Sequence, residues 1–263
     1  EADVNLIDRT IAGSYHQNTR LRNREISLLV HLFKETRDEV VAGNRRQDAY
    51  RVFDPLSSPV RFDFEAFDGN QYYLTAYSLS APQMRPDKEN DNAAYQVMLL
   101  QLVASDPFIY KDIETRIEIA GFNGGFEFDW EIPPEGYEFE RRSESLFGVI
   151  EYLGTSPTGM TVNYRARGNV SNPTLINVST LEQMKLNFNM QQGDIISINT
   201  ERGNRSITLI RNNTRTNIFY SYSLLESVFL ELNPGTNVFR YQADSGEESL
   251  EVAIRYRDRR VGI

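Results

Sequence analysis

Chemistry in this chain would have to rest on few residue types. There are two histidines, His16 and His31, and no cysteine. A nucleophile-base pair therefore has only two imidazoles to draw on, and neither lies at a spacing from a carboxylate that points to a triad. His31 sits in an alternating run and reads as a packed or edge histidine. A zinc site would need both histidines plus carboxylates, at a spacing that fits no familiar motif. Carboxylates are plentiful, and Asp63/Glu65 and Glu138/Glu140 each fall on one strand face. A glycosidase needs two carboxylates flanking one bond across a cleft, whereas period-2 charge is the ordinary solvated side of a sheet. Gly121-Phe122-Asn123-Gly124-Gly125 lacks the Lys-Ser/Thr and the helix of a phosphate loop and reads as a hairpin turn. Asp87-Lys88-Glu89-Asn90-Asp91-Asn92 lacks the glycine and distal glutamate of an EF-hand and reads as a solvated loop. Trp130, the single tryptophan, reads as a core or domain-interface residue before a sugar-stacking one. Sequons at Asn169, Asn177, Asn204 and Asn212 are short enough to arise by chance. No residue is assigned a catalytic, cofactor-binding or metal-ligating role, and no cofactor is expected.

The elements that would have to position such groups are mostly strands. Ile26, Leu28, Val30 and Leu32 alternate with Ser27, Leu29, His31 and Phe33, the period of a strand covered on both faces. A helix is predicted from about Asp38 to Phe53, with Asp38 and Glu39 at its positive end and Asp54-Pro55 as its stop. Its apolar stripe (Val41, Ala49, Val52, Phe53) is thin, so it lies on one side of a sheet. Phe62, Phe64 and Ala66 lead through Asp68-Gly69 into Tyr72–Leu79, a strong hairpin signal. Arg85–Asn92 reads as a loop and Tyr95–Val103 as a buried strand that Asp106-Pro107 ends. The domain boundary is placed there, giving 1–112 and 113–263.

Beyond it, short β runs recur at Arg116–Ile119, Phe126–Trp130, Phe147–Tyr152, Thr161–Ala166, Thr174–Val178 and Lys185–Met190. They continue at Ile195–Thr200, Ser206–Ile210, Val238–Ala243 and Leu250–Tyr256. Turn residues punctuate them at the spacing of an antiparallel sandwich. Only a short helix around Leu224–Phe229 breaks the series. The fold class is mainly β.

Bulk properties narrow the function classes. At 263 residues the chain can bury a core without staples. The net charge of −9 is spread evenly, with 13 Lys+Arg against 17 Asp+Glu through Asp112 and 15 against 20 beyond it. No basic block offers a phosphate-tracking surface, so nucleic acid is not an expected partner. No apolar run reaches the roughly 18 residues of a spanning helix, so membrane insertion is not expected either. No signal peptide is visible, and absence of cysteine fits synthesis in a cytoplasm. Fourteen tyrosines and 15 phenylalanines with a mean hydropathy of −0.48 suit a β-rich soluble protein.

Short patterns then assemble into a resemblance. Glu1-Ala2-Asp3-Val4, Leu21-Arg22-Asn23-Arg24-Glu25-Ile26-Ser27-Leu28 and the helix end Tyr50-Arg51-Val52-Phe53-Asp54-Pro55 are similar to distal tail proteins of long-tailed phages and prophages. Ala104-Ser105-Asp106-Pro107-Phe108 resembles the end of their ring domain, and Gly168-Asn169-Val170-Ser171-Asn172-Pro173-Thr174 the entry to their second sandwich. Gln192-Gly193-Asp194, Thr200-Glu201-Arg202-Gly203, Asn233-Pro234-Gly235-Thr236-Asn237 and Leu250–Tyr256 complete the series. Each is weak alone; their order over nearly the whole chain is what is specific.

The resemblance implies a structural, non-catalytic hub at the virion tail tip, made in the host bacterial cytoplasm. Residues 1–112, with one helix, would form a six-membered homo-oligomeric ring coaxial with the tail tube. Residues 113–263 would form a peripheral galectin-like sandwich. The implied partners are other copies of the chain, the tail tube protein, the tail-tip fibre or tail-associated lysin and, often, receptor-binding proteins. In the family, Glu1–Val4 resembles a position a few tens of residues into the protein, so the opening strands of the ring domain are expected upstream of this sequence. The alternative class is a carbohydrate-binding sandwich. A galectin sugar site uses a His-Asn-Arg set with a stacking Trp, but residues 113–263 hold no histidine and Asn163/Arg165 lack that partner. No galectin-type galactoside site is expected.

Overall fold

The computed structural model describes residues 2–9, 12–33, 39–57, 59–84, 91, 95–120, 122–124, 140–142 and 147–262. Packing divides the chain into two compact units, Glu1–Tyr110 with Val261–Ile263, and Lys111–Arg260. The protein is mainly β, with multiple antiparallel sheets and one α-helix among the described residues.

The first unit runs β1 (Ala2–Asp8), β2 (Ser14–Leu21), β3 (Arg24–Phe33), α1 (Glu39–Val52), β4 (Val60–Glu65), β5 (Gln71–Ser78), β6 (Gln83–Met84), β7 (Tyr95–Ala104) and β8, which starts at Ile109 and ends at Lys111. β8, β5, β7 and β3 are neighbours in that order, with β4 on β5 and β6 on β7. β3 and β7 pair over ten residues, from Arg24 opposite Ala104 to Phe33 opposite Tyr95. The core joins Tyr72, Leu74 and Ala76 of β5 to Met98, Leu100 and Leu102 of β7, with Ile26, Leu28, Val30 and Leu32 half-buried against it. Thus β3 buries one face only in part and exposes the other. It is not covered on both faces, as its apolar run had led us to expect.

The helix ends at Val52 as Asp54 Oδ1 takes the Leu56 N–H at 2.9 Å. Val41 lies outside the helix side chains that the structure describes. Ala49 is buried and Phe53, four residues on, stacks on Phe62 at 6.2 Å. Val52 is exposed, because it lies off the line that Ala49 and Phe53 share.

The second unit contains β9 (Thr115–Ala120), β10 (Phe122–Gly124), β11 (Glu140–Arg142), β12 (Phe147–Tyr152), β13 (Thr161–Ala166), β14 (Val170–Ser171) and β15 (Thr174–Asn177). It continues with β16 (Gln183–Lys185), β17 (Asn189–Met190), β18 (Ile195–Asn199), β19 (Ser206–Arg211), β20 (Thr214–Asn217), β21 (Gly235–Gln242), β22 (Leu250–Tyr256) and β23 (Arg259–Arg260). A six-stranded sheet, β20-β19-β18-β13-β22-β9, faces a four-stranded one, β12-β21-β15-β16. Their inner residues merge into one core, with Val162, Tyr164, Ile196, Ile207, Val252 and Ile254 from the first meeting Ile150, Leu175, Phe239 and Tyr241 from the second. Strict alternation along β22 and β12 places every second side chain in that core.

Three expectations are corrected. Lys185–Met190 is not one strand: the Leu186 N–H goes to Pro173 O and the Asn187 N–H to Ser221 O, so the chain passes from β16 into β17, which belongs to a different sheet. Leu224–Phe229 is not helical. Glu226 N–H turns back to Ser223 O and Val228 N–H is drawn to Gln183 O, while a 3₁₀ turn forms earlier at Phe219–Ser221. Phe122–Gly124 is a strand paired with Glu140–Arg142 rather than a hairpin turn. Trp130, Glu138, the strand expected at Phe126–Trp130 and the Arg85–Asn92 loop apart from Asp91 lie outside the described residues.

Candidate assembly surfaces

The candidate chemical groups are dispersed. His16 Nε2 lies 2.6 Å from Thr19 Oγ1 on the exposed β2. His31 stacks on Tyr95 at 4.8 Å on the open face of β3. Asp63 pairs with Arg61 at 2.7 Å, and Glu65 accepts from Gln71, so this pair is a solvated strand face. Among the described residues no group of three or more His, Asp or Glu side chains could hold a metal ion. Asn177 is buried, and its Oδ1 takes the Ser179 N–H at 2.9 Å; that sequon is a turn clamp rather than a glycan acceptor.

The perturbed ionisable groups are structural. Arg211 makes a two-pronged contact with the buried Asp194 at 2.7 and 2.5 Å and holds its carboxyl below the usual range, with the Gln191 N–H adding at 2.7 Å. Burial pushes the Tyr222 hydroxyl up to about 12 and the Tyr164 hydroxyl higher still. Neither hydroxyl atom has a hydrogen-bond partner.

The short patterns noted in the sequence have local causes. Gly193 at φ 89° turns the chain into Asp194. Thr200 Oγ1 takes the Met160 N–H at 2.9 Å, and Glu201 takes those of Gly159 at 3.0 Å and Arg259 Nη1 at 3.2 Å. Asn237, buried in β21, takes the Asn233 N–H and donates to Asn233 O and Gly235 O, closing the turn around Pro234. These residues are fixed by backbone accounting, not by reaction chemistry.

The first unit exposes apolar side chains on a ribbon and on a sheet edge. β1 and β2 form a two-stranded ribbon paired with no third described strand. Val4, Leu6, Ile7 and Tyr15 on it are each at least half exposed. Asp3, bracketed by Arg22 at 3.1 Å and Arg20 at 3.3 Å, is held below its usual pKa mainly by Arg22. Such a ribbon is marginal by itself in water. Next along the chain, β3 pairs among described strands with β7 alone. Its outer face presents Leu29, 68% exposed, and Phe33, 63% exposed. An edge of that kind is a template for another chain. Sequence reading passed over the ribbon because Asn5, Asp8, Gln17 and Asn18 dilute its alternation. Gly13, at φ 76°, was the available turn signal.

The described residues thus form two antiparallel β units that leave apolar side chains exposed. Residues 153–259 match the family model of the siphovirus-type tail component, C-terminal domain. The fold is similar over 98% of this chain and 88% of the other to the hub protein Dit of phage SPP1, described as a paradigm of the hub adsorption apparatus in phages infecting Gram-positive hosts, with a TM-score of 0.65 and 12% identity. Two structures of the phage P2 baseplate in its activated conformation also align, with calcium at a TM-score of 0.49 and with strontium at 0.46, each 10% identical. They cover 98% and 97% of this chain and 86% of the matched chain in each case. No curated protein matches. Residues 153–259 thus resemble that C-terminal domain, and the chain as a whole has a fold like that of the SPP1 hub protein.

Proposed function

We propose that the protein is a structural hub subunit of a phage tail tip, acting through protein contacts and not through catalysis. The observation that carries this reading is the distal tail protein fold over 98% of the chain. The open ribbon and the free edge of β3 supply surfaces for assembly. In this reading residues 1–112 form a closed six-membered ring on the tail tube, and residues 113–263 form the galectin-like outer domain. Closed cyclic rings use two different patches per subunit. Ribbon and edge strand are two such patches, and docking one against a neighbour's other buries the apolar side chains both now expose. The ring joins the tail tube protein to the tail-tip fibre or lysin, and the outer domain faces receptor-binding proteins.

Absolute mass by light scattering on a sizing column tests the reading. A hexamer-sized species is the expected outcome. Monomers at high concentration, with no oligomer on addition of tail tube protein, would overturn it.

A further inference from the structure

The outer face of the six-stranded sheet holds a groove of about 520 Å³ that no assembly surface uses. It is lined entirely from within the second unit. Its floor is made of small residues in register across three strands: Ala253 of β22 opposite Asn163 of β13, and Asn163 opposite Ser197 of β18. No aromatic residue lines it. The two ends are cationic. At one end Arg255 stands opposite Arg116. Arg116 is paired with Glu118 at 2.6 Å, whereas the Nε of Arg255 is buried with no hydrogen-bond partner. At the other end Arg165 and Arg167 both reach Glu251, at 3.8 and 2.5 Å. Among the residues that line the groove, each end thus contributes two arginines and one glutamate, on a protein whose total charge is −9.

We propose that this groove binds an extended anionic glycan. Arg255 lies four residue steps from Glu251, the register partner of Arg165, along β22, which is about 13 Å at strand rise. Two acidic groups of one chain at that separation meet the two arginine ends, and the hydroxylated units between them meet the Asn163 amide and the Ser197 hydroxyl. Guanidinium forks match carboxylate and phosphate geometry, so either charge chemistry fits. Absence of an aromatic platform disfavours single-stranded nucleic acid, which stacks its bases. A neutral galactoside offers nothing to the arginines. The groove's volume is that of a small-ligand site. Its function does not depend on the ring reading.

The test is calorimetric titration of the full chain at low salt with tetragalacturonate, a phosphomannan oligosaccharide, neutral galactotetraose and hexaglutamate. Saturable binding of one or both charged glycans is expected, and which of them binds distinguishes carboxylate from phosphate recognition. R255Q weakens it at least tenfold and N163A severalfold. E251Q, which removes a negative charge from the groove, tightens it severalfold, a sign that mere loss of structure would not produce. R116Q repeats the R255Q measurement should that variant not fold. No saturable binding of either charged glycan would overturn the proposal. So would R255Q or R116Q that is folded and binds like the parent. Hexaglutamate binding as tightly as the glycans, and indifferent to N163A, would also overturn it by showing simple ion exchange.

Discussion

The two units solve the problem of burying a sheet in opposite ways. The second closes two sheets on each other, so Val162, Tyr164, Ile196, Phe239 and Val252 have no measurable exposure. The first has a smaller core. Ile26, Leu28, Val30 and Leu32 of β3 remain half-open, and the β1–β2 ribbon leaves Val4, Leu6 and Ile7 in solvent. A sheet edge with apolar side chains is normally blunted or covered. Among the described residues neither device acts on these side chains. A closed sandwich draws its stability from its own core, whereas a unit with open edges gains stability by mass action when copies associate. The open surfaces are thus informative about assembly, and the closed ones about folding.

The contrast can be broken most strongly at the core of the sandwich. Phe239→Ala is expected to cost about 3–5 kcal/mol and to lower a calorimetric transition of the second unit while leaving a separate first-unit transition in place. A single transition shifted as one would mean that the units unfold together. Gly246→Ala comes next. Gly246 sits at φ 75°, and an added Cβ would lie 2.0 Å from Asn169 O. The left-handed backbone alone costs about 1–2 kcal/mol for an L side chain, and the clash adds to it in urea melts.

Asp194→Asn should cost roughly 1–2 kcal/mol, discounted because Arg211 is more than a third exposed. Its pH signature has a definite sign. The folded carboxyl lies below its ordinary value of 3.8, so its stabilisation is present above that value and lost as pH falls through the lowered one. The variant's melting temperature should therefore fall less steeply than the parent's below about pH 4. Tyr164→Phe goes the other way. Removing a buried hydroxyl without a partner should leave stability unchanged or raise it by about 1 kcal/mol.

The smallest effect on folding and the most pointed one on assembly is expected at the ribbon. Val4→Asp with Leu6→Asp should change monomer stability by no more than ~0.5 kcal/mol, yet reduce the oligomer mass seen by light scattering. A variant that assembles like the parent would remove the ribbon from the interface.

Much of the architecture could be read locally. Thr161–Ala166, Phe147–Tyr152 and Leu250–Tyr256 are strands with the boundaries that their period-2 patterns mark. Gly193 and Gly235 sit at positive φ in the turns that their neighbours signal. The misses share one cause. Lys185–Met190 is apolar enough to continue as a strand, but Pro173 and Ser221, distant in sequence, claim its backbone groups. Leu224 and Leu225 look like the apolar stripe of a helix, yet both are exposed because Gln183 O captures the Val228 N–H. Local pattern could not see either competitor. For the same reason Asn163 and Arg165 were weighed only as an incomplete galactoside set. Their register with Ser197 and Glu251 comes from strands tens of residues away.

Side-chain alternation and turn chemistry are properties of neighbouring residues, so the chain's own order settled that it is mainly β and where its described helix lies. Which strand became an edge, which ribbon stayed unpaired and which arginines met across a sheet depend on contacts between distant segments. Backbone hydrogen bonds of a sheet are nonlocal, and only the folded chain chooses among the pairings that its pattern allows.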